Sequence, residues 1–225
     1  MVEMMYGGAM GIAAGLSFNR IAFFQVKRRS GKEVAGKTAG RAVTAAVSAL
    51  ISGILFALIF KLYGGTAERL EYAAYISIAI SIGVVDLGIK KIPNLSVAAL
   101  LAVRTVVIIY RLFKGASASG LLLVSLIGLG GAFFLFQLPM LLGIPVGAGD
   151  VKFASAIGYC LGIFGFLQSS LIMAAGLGIL LICLKATGKG DMKTKVPMGP
   201  FLAAGAAAAM IWPVFSGISQ QIFPV

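Results

Sequence analysis

The chain has 225 residues, 60% of them apolar and only 12% charged, with a mean hydropathy of +1.02. A soluble domain of this size has too large a share of surface to hide so many apolar residues, so the composition places the chain in a membrane. Nineteen Lys and Arg stand against seven Asp and Glu, and there is no histidine, which excludes histidine-based triads and His-ligated metal sites. Cys160 and Cys183 both lie in apolar runs and form no CxxC pair.

A crossing helix needs about 20 apolar residues. In chain order the apolar runs predict spans at Met4–Phe24, Ala42–Tyr63, Tyr72–Ile89, Leu95–Tyr110, Ser119–Leu138 and Met198–Phe215. Between the last two, 151–184 is too long for one crossing and is expected to break near Gln168–Ser170. The expectation is a polytopic all-α membrane bundle of about eight segments, or six plus a shallow pair. It forms one domain over 1–225, with a short basic loop at 25–41 and no separate soluble domain. Lys27, Arg28 and Arg29 follow the first run where a signal peptide would need a small-residue cleavage site, so no cleavable signal is expected.

Short cytoplasmic loops collect Lys and Arg. With the N-terminus outside, thirteen of the nineteen fall in cytoplasmic segments and four in outer ones, while Arg20 and Arg104 lie within spans. The positive surplus is therefore read as a marker of topology. No nucleic-acid partner is expected, and membrane lipid is.

The acids are few enough to take singly. Glu3, Glu33, Glu68, Glu71 and Asp191 stand in polar stretches and are expected in water. Asp86 and Asp150 instead adjoin apolar runs at one membrane boundary, where an ionisable side chain is costly and points to function. A structural reading is open beside it: Asp86 pairs with Lys90 one turn on, and Asp150 caps a helix. Two carboxylates that converge cannot both ionise easily, so one activates a water while the other donates a proton. That chemistry cleaves an amide without metal or histidine. An ion-coupled transporter using the same two aspartates is the alternative, although such sites usually lie near the midplane.

Three stretches around these acids resemble the type IV prepilin peptidases. They are Asp86 with Ile92-Pro93-Asn94, then Gly147-Ala148-Gly149-Asp150-Val151-Lys152, then Val196-Pro197-Met198-Gly199-Pro200-Phe201-Leu202-Ala203. Gly15-Leu16-Ser17-Phe18-Asn19 is a looser echo of a first-span motif in bacterial members. Presenilin-type proteases share Gly-x-Gly-Asp, but Val84-Val85-Asp86 lacks the tyrosine context of their other aspartate motif.

The resemblance implies an aspartic endopeptidase of a prokaryotic cytoplasmic membrane, with Asp86 and Asp150 catalytic and facing the cytoplasm. It also implies prepilins or pseudopilins as substrates, cut after a short basic leader. No cofactor or metal is implied. The cysteine-containing methyltransferase domain of many bacterial members has no counterpart, so methylation is not expected. Gly147, Gly149, Lys152, Pro93, Asn94, Pro197, Gly199 and Pro200 are expected to shape the site or touch substrate, the glycines by letting an extended backbone approach. Lys152 is a candidate for holding Asp150 ionised. Arg20 and Asn19 read as interfacial anchors, and nothing in the sequence names a partner for Arg104.

Overall fold

The computed structural model describes residues 1–30, 38–143, 145–188 and 196–215. These residues are almost entirely helical: α1 (Val2–Ser30), α2 (Thr38–Leu62), α3 (Thr66–Ile89), α4 (Asn94–Phe113), α5 (Ala118–Leu141), α6 (Ala148–Ala186) and α7 (Gly199–Ile211). Five of them, α2 to α6, are long and apolar enough to cross a membrane. The polytopic helical bundle expected from the sequence is what the chain forms. Its surface carries Leu50, Ile54, Leu126, Phe134, Ile179 and Ile182 in exposed positions. So much open apolar area suits hydrocarbon and not water.

The basic loop expected at 25–41 is partly helical, since α1 runs on to Ser30 and α2 begins at Thr38. Glu33 and Asp191 lie outside the described residues. Lys27, Arg28, Lys90, Lys91, Lys152 and Lys185 gather at the same end of the bundle, the basic end. Tyr63, Arg69 and Arg111 mark the far end.

Small residues set the closest helix contacts, as is usual where lipid offers no hydrophobic drive for helices to associate. Gly7, Gly11 and Gly15 recur every four residues along α1, and a methyl on any of them would strike α2 at Phe60, Ser52 or Ala49. Asn19 is buried in this seam and donates to Ser48 Oγ at 2.9 Å, so it joins two helices and is not an interfacial anchor. At the far end Arg69 reaches back to Glu3 at 2.6 Å, tying α3 to the start of α1.

Helix α3 is the central post. It packs against α1, α2, α4 and α7, and Tyr75, Ile76, Ile82 and Val85 are fully enclosed. Lys90, in the left-handed region at φ 50°, ends it and donates its backbone N–H to the Asp86 carbonyl at 2.8 Å. Pro93 then sits at the start of α4, where its missing N–H costs nothing.

Helix α6 is broken at Gly162, whose φ of 71° and ψ of 176° are not helical. The first arm runs parallel to α4, with Lys152 against Asn94 and Cys160 against Leu100. The second arm runs antiparallel to α7, with Gln168 at Trp212 and Gly176 at Phe201. Because α4 and α7 both run from the basic end to the far end, the arms point in opposite directions and return the chain to its starting side. The break therefore falls at Gly162 and not at Gln168–Ser170. Gln168 instead holds the end of α7, donating to the Trp212 carbonyl and accepting from the Val214 N–H.

Candidate functional site

Asp86 lies one turn before the end of α3, on the side turned towards α7, and is 4% exposed. Its Oδ2 accepts the Gly199 backbone N–H at 2.9 Å, an N–H in the first turn of α7 that has no partner within that helix. Two glycines make this approach feasible. A Cβ on Gly199 would lie 2.8 Å from Asp86 Oδ2 and 2.9 Å from its Cβ, and a Cβ on Gly83 would lie 3.3 Å from the Cα of Pro200. Gly83 was not singled out from the sequence; its position three residues before Asp86, on the same helical face, is the signal that could have found it.

Asp150 lies in the first turn of α6, where the helix dipole favours a carboxylate. It is close enough to Asp86 for the two charges to act on each other. The Gly-x-Gly stretch in front of it is filled from within the protein. A Cβ on Gly147 would lie 2.5 Å from Asp150 Oδ2, and one on Gly149 would lie 3.1 Å from the Cβ of Ile92. The room these glycines leave is thus taken by the carboxylate itself and by the α3–α4 turn.

The remaining residues of the three stretches fall around this centre. Pro93 is buried, and its carbonyl accepts the N–H groups of Ser96 and Val97 at 3.1 and 3.2 Å. Lys152 is exposed, and its hydrogen bond goes to Asn94 Oδ1 at 3.4 Å, linking the Gly-x-Gly-Asp helix to the Ile-Pro-Asn turn. Pro197 lies in the lead-in to α7, and Pro200 in its first turn. Asp86 and Gly199, far apart in the chain, meet through one hydrogen bond, and Asp150 lies within reach of the Asp86 charge.

A second ionic group lies towards the far end. Glu71 is only 3% exposed and not in water as its polar neighbours Glu68 and Arg69 suggest. It accepts from Arg104 Nη1, Arg111 Nη2 and the Tyr75 hydroxyl, each at 2.8 Å, and Arg104 Nε donates to Ser125 Oγ at 3.1 Å. Arg104 therefore has a buried partner, supplied by α3. Cys160 is buried, as expected for a small apolar residue, whereas Cys183 is exposed on the second arm of α6.

No family model matches the chain, and neither a curated protein nor a solved structure does.

Proposed function

We propose that this chain is a membrane aspartic endopeptidase that removes the basic leader of type IV prepilin-like proteins at the cytoplasmic membrane face. The observation that supports the reading is the convergence of three distant stretches on two carboxylates, with Asp86 held by the Gly199 N–H and Asp150 near enough for the two charges to act on each other. An acid buried merely for packing needs no second acid within reach of its field. Two of them, with one shared proton, supply the base and the acid that amide hydrolysis requires.

In this mechanism the ionised carboxylate takes a proton from water as the oxygen attacks the peptide carbonyl carbon. The protonated carboxyl donates to the carbonyl oxygen. Collapse of the tetrahedral species breaks the C–N bond, and the departing nitrogen takes a proton from the pair. A position near the membrane boundary suits a substrate whose apolar helix stays in the bilayer while its leader is in water.

The test is co-expression with a prepilin-like protein, following leader removal by mass. The parent removes the leader, and Asp86→Asn and Asp150→Asn each leave it in place while the variants accumulate in the membrane as the parent does. Processing by either variant at the parent rate rejects the paired mechanism.

A further inference from the structure

The two guanidinium groups that hold Glu71 also line a cavity of about 430 Å³ near the far end, remote from the aspartates. The charged side chains in and beside its wall are two guanidiniums and two carboxylates. Arg104 and Arg111 contribute two positive charges, and Glu71, shared between them, cancels one. Glu68, in an exposed position of the same lining, is the second acid, while the two guanidiniums lie deeper beside Glu71 and the apolar wall.

The donors are not used up. A guanidinium has five N–H donors. Arg104 spends Nε on Ser125 and Nη1 on Glu71, while Arg111 spends Nη2 on Glu71. Arg104 Nη2 and Arg111 Nη1 have no acceptor among the described residues, and neither is a sealed orphan, since the buried unpartnered side-chain atoms among those residues are the hydroxyls of Ser52 and Ser170. Both residues line the cavity. Beside them stand the Tyr72 ring and an apolar wall from Val124, Leu161 and Phe164.

We propose that this cavity is a binding site for one phosphate group, held by Arg104 and Arg111, with the phosphate carried by an anionic phospholipid or free in solution. Paired planar guanidiniums match phosphate oxygens in a fork geometry that a lysine cannot reproduce. The apolar wall beside them favours the lipid as carrier. The site is independent of the peptidase chemistry, so either assignment can fail without the other.

The full chain, purified and stripped of lipid, is reconstituted in phosphatidylcholine with or without phosphatidylglycerol, and native mass spectrometry counts the phosphatidylglycerol retained. A parallel thermal titration adds inorganic phosphate to the stripped protein. The expected result is saturable binding of one equivalent in at least one arm, the lipid arm assigning a headgroup and the phosphate arm a free anion. Arg111→Lys, which keeps the charge beside Glu71, weakens binding at least tenfold, and Lys114→Gln, outside the cavity, leaves it unchanged. Elution and helical content matching the parent establish that the lysine variant is folded. Absence of saturable binding in both arms, or parent-like binding by folded Arg111→Lys, overturns the proposal.

Discussion

Gly199 joins the candidate site to the fold through a single backbone N–H. Adding a methyl there strikes Asp86 at both Oδ2 and Cβ, and the Cβ cannot swing aside because α3 fixes it. Gly199→Ala is expected to cost about 1–3 kcal/mol of stability through overpacking. If the carboxylate is pushed by about 1 Å, leader cleavage falls roughly 100-fold. Gly147→Ala meets only the movable end of Asp150, so it lowers cleavage with a smaller loss of stability. Melting temperature and cleavage rate, measured side by side, separate the two cases.

Glu71 gives the second residue-scale prediction. Removing one partner of a buried ion pair is costly because the other charge is left without compensation, typically about 3–5 kcal/mol. Arg104→Met is therefore strongly destabilising, and Glu71→Leu comparably so. The double variant loses clearly less than the sum of the two, and a double-mutant cycle of unfolding in mixed micelles measures the difference. Additive losses would mean that the pair contributes nothing as a pair. The sequence could not reveal this contact. Glu71 stands beside Glu68 and Arg69 like any loop acid, and its partners Arg104 and Arg111 are 33 and 40 positions away, a separation no local pattern encodes. Asp86 and Asp150 were legible for the opposite reason, since each interrupts an apolar run.

At the scale of elements, the break in α6 decides how the chain returns to the basic end. Gly162 adopts a φ that costs an L-residue about 1–2 kcal/mol, and a Cβ there would lie 2.8 Å from Val124 Cγ1. Gly162→Ala is expected to lower stability by about 1–3 kcal/mol, more than Gly178→Ala, where an added methyl meets nothing within 4 Å. Comparing the two in one unfolding assay measures the combined cost of the backbone conformation and the Val124 contact at Gly162. The helical bundle was readable from length and hydropathy, but of the eight segments expected only α2 to α6 are long and apolar enough to cross among the described residues, and the position of the turn was not readable. Gln168-Ser169-Ser170 has the polarity of a turn, yet Gln168 and Ser169 bond to α7. Gly158, Gly162 and Gly165 look alike in the sequence, but Gly158 serves close packing on Gly128 and Gly162 makes the bend.

At the scale of the whole molecule, the charge distribution predicts orientation. With the basic end in the cytoplasm, a membrane-impermeant maleimide labels Lys61→Cys in intact cells and labels Lys185→Cys only after permeabilisation, both in a background lacking Cys160 and Cys183. The reverse pattern would place the two aspartates on the outer face and remove the leader peptidase reading. The helices whose ends meet at that face come from the start, the middle and the end of the chain, so each motif was visible in its own stretch of sequence while their meeting was not.

The enclosed α3 also has a history in time. It emerges from the ribosome carrying two acids whose partners do not yet exist. Glu71 waits 33 residues for Arg104, and Asp86 waits 113 residues for the Gly199 N–H. Through that interval the two acids of the central helix stand without these partners, which α4 and α7 supply. The peptide group that steadies Asp86 is supplied by α7, the last of the helices among the described residues. A chain synthesised only as far as α6 therefore carries both aspartates but lacks the N–H that holds Asp86 in the finished bundle.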